Sequence, residues 1–448
     1  MRTFSGNIVN EGRVFYGRIC VEGDTIVSVN ERPTPNPSQK EGSQENENDN
    51  VYIFPGVIDE HVHMREPGMT EKGDMASESR AAAAGGVTSF FDMPNTKPQT
   101  TTINALRDKL ALAAEKSIIN YGCFIGATND NIQELQAVDT ALVPGIKVFM
   151  GASTGNMLVD DAQTLDSIFA IAAERGLPIV THCEDSALIE RNTLRMVESQ
   201  EPRVEFHSII RNEEVCLSST RRAIALAEKN GTQLLVAHVS TGKEIPLITL
   251  SRGNIKAETC VSYLTFCDKD YTLLGSRIKC NPAIKTEADR LALRQALADG
   301  RIHCIATDHA PHLPADKEGG ALKATSGMPS VQFSLVIMLQ LADEGWLSVP
   351  QVAQLMCHNP AQLFGVEKRG LLRPGMKADI TIVRHLNTPH TINDDEVISK
   401  CGWTPYAGQQ THWQVEETIC NGTTIYHHGQ GIDDTPRVAQ QIRFSHGH

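Results

Sequence analysis

His61 and His63 close the apolar run VYIFPGVIDEHVH, and three more metal-competent side chains close later runs of the same character: His182 in LPIVTHCE, His238 in TQLLVAHVS and Asp308 in RIHCIATDH. Successive strand residues alternate faces, so a His-x-His pair at a strand end presents two imidazoles on one side, where both can hold one cation. Each histidine alone has an ordinary reading as a hydrogen-bonded core or surface residue. Four histidines and an aspartate at the ends of four runs make a shared ligand the better account, and the excess of nitrogen over thiolate donors favours zinc or a similar divalent ion. His303, inside its run, and His427, His428, His446 and His448, near the end of the chain, stand outside this pattern. Lys147, in PGIKVFM, is the discordant member. Desolvation and like charge oppose an ammonium buried beside dications, so this lysine is either modified or carried elsewhere. A carbamate formed with carbon dioxide would give it a negative charge and two oxygens able to bridge metals about 3.5–4 Å apart. A stem that snorkels its ammonium to solvent is the alternative.

Bringing these residues together requires elements whose ends converge. From Val51 the sequence alternates β-rich apolar runs with Ala/Glu/Lys/Arg-rich helical stretches such as ESRAAAA, INALRDKLALAAEK and EEVCLSSTRRAIALAEK. The runs are VYIFPGVIDEHVH, GVTSFFDM, IINYGCFIGA, PGIKVFM, LPIVTHCE, TQLLVAHVS, NIKAETC and RIHCIATDH, and eight strands in series point to an α/β fold, a (β/α)8 barrel of the TIM type. A doubly wound open sheet would carry a Gly-rich phosphate turn after its first strand, where His61-Val62-His63 stands instead. Residues 1–54 read as short hairpin strands, and after VPQVAQLMCHNPAQLFGV the text becomes strand-like again. The expectation is a small composite β-sandwich from residues 1–54 and 367–448 beside a barrel of residues 55–366. The stretch 32–50 has no apolar residue with which to repay its ordering entropy and reads as a mobile insertion. HLPADKEGGALKATSG, Gly-rich and charged, suits a mobile loop over the barrel mouth or a passive connection.

Composition narrows the partners. With 41 Lys+Arg against 54 Asp+Glu the formal charge is −13, and no basic cluster interleaved with aromatics could track a phosphate backbone, so nucleic acid is not expected. No run reaches the roughly 18 apolar residues that span a bilayer, and the first residues lack an apolar signal core, which points to a cytoplasmic protein with no membrane partner. Eleven scattered cysteines suggest neither a disulfide framework nor a Cys-x-x-Cys metal knuckle.

Six motifs in order, FPGVIDEHVHMREPG, FFDMPNTKP, GIKVFMG, THCED, AHVSTGKE and ATDHAPH, resemble the dihydroorotases of the amidohydrolase superfamily over essentially the whole chain. Arg65 followed by Glu66-Pro67-Gly68, Asn95 in Met-Pro-Asn-Thr and His312 in Asp-His-Ala-Pro-His look like that family rather than the hydantoinases. The resemblance implies two zinc ions per subunit, one on His61 and His63 and one on His182 and His238, bridged by N6-carboxylated Lys147 and completed by Asp308. It also implies substrate contacts from Arg65, Asn95, Asn281 and His312 and from the backbone near Gly327, and a homodimeric assembly.

The implied reaction is the reversible cyclisation of N-carbamoyl-L-aspartate to L-dihydroorotate in pyrimidine biosynthesis. A hydroxide shared by two cations would be the nucleophile, because coordination brings the pKa of water from about 15.7 toward 7. Asp308 would carry the proton from it to the ring nitrogen as general base and then acid. An allantoinase or dihydropyrimidinase would share the metal ligands and differ at Arg65, Asn95 and His312. A non-catalytic scaffold is the other alternative, although such proteins usually lose ligands, and all six positions are filled here.

Overall fold

The computed structural model describes residues 1–31, 50–151, 157–199 and 203–446; apart from Asn50, the polar stretch 32–50 lies outside the described residues, as does His448. Strands β1 (Arg2–Asn10), β2 (Arg13–Glu22), β3 (Thr25–Glu31) and β4 (Val51–Pro55) precede nine strands that follow the eight apolar runs. These are β5 (Val57–Val62), β6 (Val87–Asp92), β7 (Asn120–Cys123), β8 (Ile125–Gly126), β9 (Ile146–Phe149), β10 (Ile179–His182), β11 (Leu234–Val236), β12 (Ile255–Cys260) and β13 (Cys304–Ala306). All pair in parallel with their neighbours, in the sets β5-β6-β7 and β8 to β13, the third run being split at Phe124, whose N–H turns to Asp92 O at 3.0 Å. The barrel closes where Val62 bridges His309 in parallel and the His63 N–H reaches His309 O at 2.7 Å. Asp59 on β5 accepts from both the backbone and the hydroxyl of Thr307 at 3.2 and 2.6 Å, stitching the same seam. The chain is a (β/α)8 TIM-like barrel with a smaller β-sandwich domain.

The first run divides at Gly56. Val51–Pro55 leaves the barrel and joins β14 (Ile380–Thr391), β15 (Gln410–Cys420), β16 (Thr423–His427) and β17 (Gly431–Ile432) in one eight-stranded sheet ordered β17-β16-β15-β14-β4-β1-β2-β3. Period-two alternation assigns its two faces: Ile380 and Ile382 pack with Ile8, Ile19 and Ile53 inside the small domain. Thr381, between them, points to the barrel and donates its hydroxyl to Gly86 O at 2.5 Å. A buried polar knot fastens the two parts: Asp379 pairs with Arg369 and accepts from Asn120 of β7 at 3.1 Å, while Asn421 donates to Asn120 at 2.7 Å.

The helices after the strands begin where the side chains allow. Asp74 and Ser77 form a capping box at the start of the helix Met75–Ala84, and Asn212 caps Glu213–Asn230, which Gly231 ends in the left-handed region. Among the described residues no helix is long and apolar enough to cross a membrane.

The N-terminal end of the barrel is sealed by the last described residues. Tyr121 N–H donates to Gln440 O and the Ile442 N–H to Tyr121 O, which inserts Ile442 and Phe444 among Phe91, Phe124 and Phe364. The Phe444 ring lies 5.3 Å from Phe91, and a Cβ at Gly122 would approach the Phe444 ring to 2.9 Å, so a larger residue there would push the ring aside. Phe444→Ala is expected to lower stability by about 3–5 kcal/mol, read as an earlier urea midpoint, while metal content stays at the wild-type level because the cavity created lies at the far end from the strand-end histidines.

Candidate metal centre

His61, His63, Arg65, Asn95, Lys147, His182, His238, Asn281, Asp308, His312 and Gly327 all line one cavity of about 900 Å³ at the C-terminal ends of the barrel strands. His63 Nε2 lies 3.0 Å and His61 Nε2 3.5 Å from Asp308 Oδ1, and these three residues offer ligand atoms within 4.8 Å of one another. Lys147 Nζ is 3.4 Å from His61 Nε2, and His182 Nδ1 is 3.0 Å from His238 Nε2. The His61 and His238 rings are 5.3 Å apart, so the two groups of donors are contiguous.

Oxygen atoms behind three of the rings fix their hydrogens. His61 Nδ1 faces Glu258 Oε1 at 2.9 Å, His63 Nδ1 faces Asn95 Oδ1 at 2.8 Å, and His182 Nε2 faces Glu184 Oε2 at 2.9 Å. A carboxylate or amide oxygen can only accept, so each of these nitrogens carries the proton and the opposite nitrogen keeps its lone pair for the cavity. His61 Nε2, His63 Nε2 and His182 Nδ1 are therefore presented as ligands. His238 donates its backbone N–H to Glu258 Oε1 at 3.0 Å, and its buried Nδ1 has no hydrogen-bond partner among the described residues. A lone pair on His182 aimed at His238, beside the His61–His63–Asp308 group, is a donor set that a divalent cation fits and that hydrogen bonds alone do not complete.

The electrostatics agree. Burial, reinforced by the Lys147 charge, holds His61 well below the ordinary imidazole value; burial and His182 do the same to His238. Burial also lowers His63. Neutral rings are the metal-binding form. Burial pushes Asp308 upward, but its polar surroundings outweigh it and the carboxyl stands at about 2. Lys147 is fully buried, so its ammonium does not snorkel to solvent. Desolvation lowers its pKa against the pull of Glu258 and Asp308.

Arg65 departs from the alternation of its strand. Strand β5 ends at Val62 and Arg65 takes a left-handed φ of 65°, so it does not continue the His61–His63 face. The turn carries its guanidinium to the loop after β13, where Nε donates to Pro311 O at 3.0 Å and Nη2 lies 2.9 Å from His312 Nε2. Asn95 spends its oxygen on His63 and keeps its NH2 for the cavity. Asn281 Oδ1 lies 3.1 Å from His207 Nε2, whose N–H also serves Cys280 O, which again leaves an NH2 to offer. Gly327 uses both backbone groups inside the protein, its N–H on Lys279 O at 2.9 Å and its oxygen on Lys317 Nζ at 2.7 Å. Its role is spatial: a Cβ there would stand 2.9 Å from the His312 ring.

Sequence reasoning passed over Glu184 and Glu258. Both had a signal: Glu184 follows His182 at the spacing that keeps one strand face, and Glu258 is a carboxylate within the strand-like run NIKAETC.

A parallel barrel with converging imidazoles, a buried lysine and an aspartate at its mouth has the architecture of a metal-assisted hydrolase. The model of the amidohydrolase family matches residues 52–425, and the chain belongs to that family. It is 33% identical over 379 residues to a dihydroorotase of Halobacterium salinarum, covering 85% of this chain and 87% of that one. It is 30% identical over 389 residues to an allantoinase of Desulfitobacterium hafniense, with 85% and 86% covered. Its fold is similar to that of the L-hydantoinase (dihydropyrimidinase) of Arthrobacter aurescens, with a TM-score of 0.89, 24% identity and 98% of each chain covered.

Glu258→Gln removes the charge that both polarises His61 and anchors the His238 backbone. Zinc affinity measured by competition with a chelating dye is expected to fall about 10–100-fold, with the thermal midpoint of the metal-free protein little changed.

Proposed function

We propose that this amidohydrolase is a dinuclear zinc dihydroorotase, interconverting N-carbamoyl-L-aspartate and L-dihydroorotate in pyrimidine biosynthesis. The observation that carries the reading is Arg65, buried at the cavity wall beside His312 with N–H groups still to give, a few residues from the metal-competent cluster. A guanidinium there suits a substrate with a carboxylate. Allantoin and dihydrouracil have none.

Zinc held by His61 and His63 at one position and by His182 and His238 at the other, with carboxylated Lys147 between them and Asp308 alongside, would supply activated water and a polarised amide carbonyl. The remaining work falls to this chain's own groups. Arg65 and the Asn95 and Asn281 amides orient the ring through its carboxylate and carbonyls. Asp308, deprotonated at neutral pH, takes the proton released as water adds to the amide carbon and returns it to the ring nitrogen as the C–N bond breaks. Cyclisation reverses these moves, with the ureido nitrogen attacking the carboxyl carbon and water leaving. The dihydroorotase resemblance also supports a homodimer, which sedimentation would test.

Purified zinc-loaded protein assayed on L-dihydroorotate, allantoin, dihydrouracil and hydantoin in parallel is expected to turn over only the first. Arg65→Met should lower kcat/KM for it by roughly 100-fold, and Lys147→Ala should abolish turnover and reduce bound zinc to below one ion per chain. Turnover of allantoin in preference would reject the reading, and near-normal activity of Lys147→Ala would reject the bridging carbamate.

A further inference from the structure

We propose that Lys72 is a positioning residue that decides which ring nitrogen of His312 carries the proton, and thereby sets how His312 and Arg65 together meet the carboxylate of a substrate. Lys72 lies in the loop after β5, in REPGMTEKGD, and reaches across the mouth to the loop after β13. Its Nζ is 3.1 Å from His312 Nδ1 and 3.2 Å from Asp316 Oδ2. On the other side of the ring, His312 Nε2 is 3.1 Å from Ser326 O and 2.9 Å from Arg65 Nη2.

Lys72 and Arg65 flank the ring and both only donate, so each tautomer sets one N–H against a cation, and the count of contacts kept decides between them. With Nδ1 accepting from the ammonium, the proton of the neutral imidazole sits on Nε2, and two contacts are kept against the single Arg65 contact of the other tautomer. Nε2–H finds its acceptor in Ser326 O. The other tautomer would set an N–H against the ammonium and forfeit the Ser326 contact. Burial, then the charges of Arg65, Lys72 and Lys317, keep the ring below the ordinary imidazole value, so a second proton does not relieve the conflict. The ring is also held by its backbone, since Trp403 Nε1 donates to His312 O at 2.8 Å.

The consequence lies with Arg65. Its Nη2 stands beside an N–H rather than a lone pair, so the guanidinium is not consumed by His312. The two donors lie side by side at the cavity wall on residues only 7% and 8% exposed. A carboxylate oxygen set between them accepts from Arg65 Nη2 and shares the Nε2–H with Ser326 O. Without Lys72 the ring is free to place a lone pair against Arg65, close the pair on itself and lose the anion-binding arrangement.

Lys72→Met keeps the stem and removes the donor. Its KM for L-dihydroorotate is expected to rise about tenfold with kcat within about twofold of wild type, and Lys72→Arg should recover most of the loss. Nitrogen-15 spectra of histidine-labelled protein, with the His312 signals assigned from His312→Ala, should show Nε2–H alone in the wild type and a mixture of tautomers in Lys72→Met. Asp316→Asn, whose amide oxygen can still accept from Lys72 and from the Leu313 N–H, should keep the wild-type KM and tautomer. A wild-type KM in Lys72→Met, an unchanged tautomer, a fall confined to kcat, or an equal effect from Asp316→Asn overturns the proposal. The KM arm rests on the dihydroorotase reading; if the wild type does not act on dihydroorotate that reading fails, while the nitrogen spectra still decide the tautomer.

Discussion

Four imidazoles, a lysine and an aspartate lie largely buried on the wall of one cavity, and in such a place an N–H without an acceptor costs about 1–3 kcal/mol. Glu258, Asn95 and Glu184 meet that cost for three of the rings, each taking the hydrogen on the far side so that the near side is left as a lone pair. The same act that makes burial tolerable leaves the rings able to bind a cation. It also explains why the cluster needs a barrel. The acceptors come from β12, from the turn after β6 and from the turn after β10, while the rings come from β5, β10 and the end of β11, and a closed parallel sheet brings those ends to one rim.

The rim is held under strain. Arg65, His238 and Asp308 adopt left-handed φ values of 65°, 41° and 47°, conformations that cost a non-glycine residue about 1–3 kcal/mol when nothing compensates. Each is fixed from several directions. Glu258 takes the His238 N–H, Pro311 O takes Arg65 Nε, and Asp308 sits between Thr307, clasped by Asp59, and His309, whose ring meets Glu78 at 2.8 Å. Glu78 belongs to the helix Met75–Ala84 and also accepts from Ser399, so the helix that follows β5 braces the seam closing on it. Backbone departures of this kind aim side chains that a regular strand would have alternated away.

That is where the sequence stops being legible. The eight apolar runs, their order and their polar ends could be read because periodicity and composition are local, and those runs supply the strands β5 to β13. The division of the first run at Gly56 was less accessible: a Cβ there would overlap Thr88, a residue of β6, and that crowding exists only once the sheet has formed. Alternation carried past Val62 would set Arg65 on the His61–His63 face, and the left-handed turn at Arg65 overrides it. Glu258 and His61 are 197 positions apart, and nothing local in either segment announces the other. Gly327 shows the converse, since its backbone groups, expected to meet a ligand, are spent on Lys279 and Lys317.

Net charge misleads about the cavity as well. The chain carries −13 overall, yet Arg65, Lys72, Lys97, Arg211, Lys279 and Lys323 line the mouth, and among the described residues lining it Asp308 is the one carboxylate. Field lines concentrate in a cleft with low-dielectric walls, so an approaching small anion responds to the local sign rather than to the total. Partial neutralisation refines this. Arg211 pairs with Glu184, and Lys279 spends a hydrogen bond on Ala324 O, whereas the Arg65–His312–Lys72 row keeps donors aimed into the cavity. The acidic exterior repels extended polyanions, which cannot reach the recess without crossing it, and a compact carboxylate can enter. The charge distribution thus selects by size as well as by sign, and it does so before any contact with the metal-competent cluster is made.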